Sequence, residues 1–139
     1  MSDIALVAAK IAPVFPDAAE IYPKIAAEAL TAGQAVYQTA TGTVGVADAT
    51  TSGALFPFYG IAMQAAAAGQ AVDVLVKGIV AGFTVASVAC GTVLHLSETA
   101  GALADAAPAG TGTDNEVGLV TALTDAAKTR VVHILGPVI

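Results

Sequence analysis

From Gly33 onward, short β-prone runs are broken by Gly, Thr, Ala and Asp, the pattern of an all-β domain with many turns. The predicted strands are AVYQT, VGVAD, FYGIAM, AVDVLVKG, GFTVA, TVLHLS, EVGLVTAL and TRVVHILG. Alternation is clearest in AVDVLVKG. There Val72, Val74 and Val76 fall on one face, while Asp73 and Lys77 share the other with Leu75. This spacing predicts a half-buried strand. Ala65 to Ala68 could open a helix, but Gly69 follows at once, so the run reads as a tight connection or a single turn.

The first thirty residues follow a different pattern. Pro13, Pro16 and Pro23 fall here, and each fixes its own φ and biases its predecessor toward extended backbone. VFPDAAEIYP is therefore hard to build as a continuous helix. The expected organisation is an N-terminal arm over residues 1–30 followed by a β domain over 31–139. Val14, Phe15, Ile21 and Tyr22 are sizeable apolar groups on that arm, and they need burial either on the parent domain or on a neighbour.

A constant spacing also runs through the β domain. Gly33, Gly60 and Gly78 match Gly91, Gly118 and Gly136, since 91 − 33, 118 − 60 and 136 − 78 all give 58. In the same register Val36 meets Leu94, Ile61 meets Leu119, Val74 meets Val132 and Val76 meets Ile134. The spacing suggests half-repeats at 33–78 and 91–136, two similar β units forming one barrel or sandwich.

Composition adds that the core is built from small groups. Hydrophobic residues make up 56% of the 139 residues but aromatics only 5%, with no Trp, so Ala, Val, Leu and Ile carry the burial. An Ala side chain removes little area from water, and burial returns only about 25 cal/mol per Å². Assembly with another surface would supply the remainder. Charged residues are 12% of the chain, against roughly 25% in ordinary soluble domains, which suits a surface that is largely covered.

The five basic residues, Lys10, Lys24, Lys77, Lys128 and Arg130, are scattered and form no track for a phosphate backbone. No direct nucleic-acid binding is expected. The uncharged stretch between Lys77 and Glu98 is long enough to cross a bilayer. It holds Gly78, Gly82, Thr84, Ser87, Gly91, Thr92 and His95, however, and the stretch from Asp48 to Asp73 is equally uncharged. A buried β region rather than a membrane span is expected. Cys90 is the single cysteine, so no internal disulfide and no cysteine-based zinc site can form. Asp3 stands where a secretory signal carries positive charge, and the apolar stretch Ile4 to Ala9 is short. The expectation is a protein made in the cytoplasm.

Candidate chemistry is sparse. His95 and His133 each sit inside an alternating strand, which favours structural or interfacial roles over catalysis. Cys90 has no basic neighbour in sequence to lower its pKa and reads as a small buried side chain. The stretches TGTVG at 41–45 and GTGT at 110–113 lack the lysine of a phosphate-binding loop and read as turns. Asp114 and Glu116, flanking Asn115, could help hold a cation through oxygen ligands. Two acids in one loop specify no site, and neither a metal nor another cofactor is expected. No G-x-S-x-G or H-E-x-x-H signature occurs, so no catalytic residue is assigned and no enzyme is expected.

The runs AEIYPKIAAEALTAGQAVYQ, GIAMQAAAAGQAVDVLVKGIVAGF, VLHLSETAGALADA, EVGLVTAL and RVVHILG resemble the small capsid cement, or decoration, proteins of tailed bacteriophages. AGQAVY, AAGQAVDVLVKG and LSETAGAL carry the resemblance most specifically, and it extends from Asp3 to Gly136. It implies a compact β-barrel or β-tulip-like domain that binds the outside of a capsid as trimers or dimers, cementing junctions between capsomers. The implied partners are the major capsid protein and further copies of this chain. Val14, Phe15, Ile21, Tyr22, Phe56 and Phe58 are the candidate capsid or subunit contacts. A different expectation is a displayed β module that recognises a cell-surface glycan, which would need an exposed aromatic platform built from Tyr22, Tyr37, Tyr59 and the four phenylalanines.

Overall fold

Among the described residues, ten strands follow one another in chain order. They are β1 (Ala12–Pro13), β2 (Glu20–Ile25), β3 (Ala35–Gln38), β4 (Val44–Val46), β5 (Phe58–Ala62), β6 (Ala71–Ala81), β7 (Val93–Leu96), β8 (Leu103–Ala104), β9 (Glu116–Ala122) and β10 (Arg130–Ile134). The computed structural model describes residues 3–49, 58–108, 114–122 and 130–135. Among these residues the only helices are two three-residue 3₁₀ turns, Ala8–Lys10 and Pro16–Ala18. The protein is all-β. Its antiparallel sheet runs β4-β3-β5-β6-β10-β9-β7-β8 and curls into a half-barrel, with β1 and β2 also paired to β6.

The sheet contains the same unit twice. β3 to β6 and β7 to β10 repeat one set of pairings at the offset of 58. Ala35 opposes Ile61 as Val93 opposes Leu119, and Val36 opposes Gly60 as Leu94 opposes Gly118. The ladder slips at the same step in both, placing Tyr37 opposite Phe58 and His95 opposite Glu116. Ile61 opposes Leu75 as Leu119 opposes His133. The turns agree as well. Gly33 and Gly91 both have φ of 90°, a conformation that favours glycine. Their N–H groups donate to Ala62 and Val120, again 58 apart. The edge strands match less closely, because β3 meets β4 through Val36 and Val46 whereas β7 meets β8 through His95 and Ala104.

β6 joins the units and departs from its expected pattern. Val72 and Val74 are buried, as the alternation requires, but Leu75 on the opposite face is also fully buried. The curl explains this. Val72 and Val74 pack in a smaller cluster with Val36, Val44 and Ala62, while Leu75 and Val80 belong to the main core with Phe58, Ile61, Leu94, Leu96 and Val132. GFTVA forms no strand of its own. β6 ends at Ala81, and Phe83 makes a single bridge to Leu6.

Residues 3–30, expected as an arm, lie along the chain's own sheet. β1 and β2 both pair with β6, from Ala12 opposite Ala81 to Ile25 opposite Ala71. Further bridges join Asp3 to Ala104 on β8 and Ala26 to Val44 on β4, so this segment reaches from β6 to the outer strand of each unit. Pro23 is tolerated in β2 for a specific reason. It opposes Asp73, whose carbonyl accepts the N–H of Met63 on the other side of β6. A residue's N–H and C=O point the same way in a strand, so Pro23 sits at a non-hydrogen-bonded pair and its missing donor costs no ladder bond.

Candidate functional site

The six candidate contact residues end in different places. Phe15 is 52% exposed and Tyr22 46% exposed, while Val14 and Ile21 are half-buried and Ile21 packs against the main core. Phe58 is a correction. It has no exposed surface and is one of the largest fully buried side chains, because the slipped β3–β5 ladder turns it into the core. It cannot offer a contact surface. Phe56 lies outside the described residues. Ile25, which the sequence pattern did not single out, is 45% exposed at the end of β2.

The exposed groups are held on a fixed backbone. Tyr22 stands on β2, whose ladder to β6 extends from Glu20 to Ile25. Its hydroxyl donates to Glu20 Oε1 at 3.2 Å. That hydrogen bond and the nearby negative charge of Glu20 raise the phenol above its ordinary pKa. Lys24, also on β2, places its ammonium 5.2 Å from the centre of the Tyr59 ring, within cation–π range. Phe15 precedes the 3₁₀ turn that Pro16 opens, a position where the missing proline N–H is harmless.

A polar cluster forms in the second unit. His95 on β7 directly opposes Glu116 on β9, and its Nδ1 lies 2.6 Å from Asp114 Oδ1. One ligand atom from each of His95, Asp114 and Glu116 lies within 4.8 Å of the other two. Sequence reading brought Asp114 and Glu116 together but not His95, because the strand pairing that joins them spans 19 residues. His133, on β10 opposite Leu119, stays half-buried in its strand.

An open cavity of about 530 Å³ is lined by Asp3, Asp105, Thr84, Ser87 and Thr92 together with small apolar residues. Among the described residues no aromatic ring lines it. Asp3 accepts a hydrogen bond from the buried Ser97 hydroxyl, which in turn accepts the Thr99 N–H at 2.9 Å. These bonds pin the N-terminal segment to the turn after β7. Ser97 and His95 are engaged with different acids and do not form a nucleophile–base pair. Cys90 is exposed rather than buried, because it sits in the turn that ends at Gly91, outside any strand. Compared with known protein families, characterised proteins and solved structures, the chain matches none.

Proposed function

We propose that this chain is a non-enzymatic structural protein that binds the outer surface of a tailed-phage capsid and cements junctions between capsomers. The observation that carries the reading is the set of large apolar side chains, Phe15, Tyr22 and Ile25, left roughly half exposed on a segment laced to β6. A solvated loop would hold such groups loosely. Here they are preorganised, so covering them costs little ordering entropy. The low charge of the whole chain lowers the desolvation cost of docking, and the resemblance of its sequence runs to phage cement proteins supplies the partner. The protein acts through binding alone, as a homo-oligomer, trimeric in preference to dimeric, made in the host cytoplasm and carried on the virion. It needs no nucleic-acid, membrane or cofactor contact.

Quantitative mass spectrometry of purified particles tests this. The chain should be present at a copy number tied to capsid symmetry. A variant carrying Phe15→Ser, Tyr22→Ser and Ile25→Ser should fold and fail to rebind particles stripped of the protein. Absence from particles, or wild-type rebinding by the folded variant, overturns the reading.

A further inference from the structure

The geometry points to a divalent transition-metal site formed by His95, Asp114 and Glu116, with zinc the best-suited ion. His95 and Glu116 are cross-strand partners just after the ladder slip between Leu94 and His95, so both side chains leave the same face of the sheet. Asp114, two residues before Glu116, already touches His95 Nδ1. The His95 side chain is only 12% exposed, which fixes the imidazole, while Asp114 is 51% exposed and free to adjust. With the three ligand atoms within 4.8 Å of one another, small rotations of the carboxylates bring all three to about 2.0–2.2 Å from one ion.

The internal repeat supplies an independent comparison. Subtracting 58 from 95, 114 and 116 gives positions 37, 56 and 58, which hold Tyr37, Phe56 and Phe58. The first unit has the same slip and the same pairing, Tyr37 opposite Phe58, and Phe58 is fully buried there. At the paired positions the first unit thus holds two aromatic residues, Tyr37 and Phe58, where the second holds His95 and the exposed Glu116. In the second unit all three positions carry metal-ligating groups, in a chain with only two histidines and eleven acids. One ligand atom from each of the three lies within 4.8 Å of the other two, with the imidazole held by its burial and the two carboxylates open to solvent. Two carboxylates side by side repel each other, and a divalent cation removes that repulsion.

The donor set selects the ion. One imidazole nitrogen and two carboxylate oxygens suit zinc and its first-row neighbours, whereas magnesium and calcium prefer all-oxygen shells. Three protein ligands leave at least one coordination position for water or for a donor from a neighbouring molecule. The site does not depend on the capsid reading, and the two fail separately.

Calorimetric titration of the full chain with zinc chloride tests the proposal, with cobalt absorption reporting the ligand geometry. Wild type should bind one zinc per chain, and magnesium chloride should give no comparable isotherm. His95→Ala and the conservative Glu116→Gln should each weaken zinc by more than about tenfold, the cost that loss of even an outer-shell partner carries. His133→Ala should leave binding unchanged. No saturable zinc binding, equal binding by the His95 and Glu116 variants, or loss with His133→Ala instead, overturns it.

Discussion

Gly60 and Gly118 occupy equivalent places in the two units, and each faces a backbone carbonyl of the neighbouring strand at a distance no side chain permits. A methyl group at Gly118 would lie 2.1 Å from the His133 oxygen, and one at Gly60 would lie 2.5 Å from the Leu75 oxygen. Ordinary contact begins at 3.4 Å, so strands β9 and β10 would have to part by more than about 1 Å. A carbonyl held in a ladder cannot swing aside like a side chain. Gly118→Ala should therefore cost about 3 kcal/mol, the upper end of overpacking, and Gly60→Ala about 2 kcal/mol. For a chain of this size each kcal/mol lowers Tm by roughly 3–5 °C. Gly69→Ala is the control. Nothing lies within 4 Å of that position, so only its left-handed φ of 85° is penalised, by about 1 kcal/mol. Urea unfolding read by circular dichroism gives all three values. Gly118→Ala within about 0.5 kcal/mol of wild type, or no costlier than Gly69→Ala, would refute the close-packed duplicated ladder.

Two further outcomes are expected. Arg130 Nη1 donates to the carbonyls of Ala86 at 3.0 Å and Val88 at 2.7 Å, tethering the turn after β6 to β10. Arg130→Ala should cost about 1–2 kcal/mol and speed amide exchange at 86–92, whereas unchanged exchange there contradicts the tether. The Tyr22 phenol should titrate above its ordinary value of 10.0 in carbon-detected NMR, and Glu20→Gln should bring it down. Because the folded pKa is raised, the hydrogen bond contributes below the ordinary tyrosine range and is lost as pH rises through the folded value. A titration indifferent to Glu20→Gln would contradict that coupling.

The alternating and glycine-punctuated runs made the all-β class legible, since period-two patterning and turn chemistry act locally. The offset of 58 was equally legible from Gly33, Gly60, Val36 and Ile61, because turns and close approaches constrain residue type one position at a time. Tertiary facts were less so. Nothing local marks Glu20–Ile25 as a strand, since Pro23 argues against it and only the phase of its pairing with Asp73 makes it harmless. Leu75 read as half-exposed because alternation cannot register a sheet curled so that both faces of β6 are covered. Phe58 read as a contact residue because a large aromatic in a glycine-rich stretch looks alike whether it turns inward or outward. His95 could have been joined to Asp114 and Glu116 by carrying the first unit's Tyr37–Phe58 pairing across the repeat, but that pairing is visible only once the strands are placed.

The proposed cementing role rests on docking to a shell through the apolar groups of the N-terminal segment. A cryo-EM map of the intact particle tests it most directly. If the chain cements a shell as proposed, symmetric copies of the half-barrel lie on the outer surface at capsomer junctions, with exposed apolar groups of the N-terminal segment, Phe15, Tyr22 or Ile25, against the major capsid protein. A shell with no density for this domain, or copies that leave all three side chains in solvent, would contradict it.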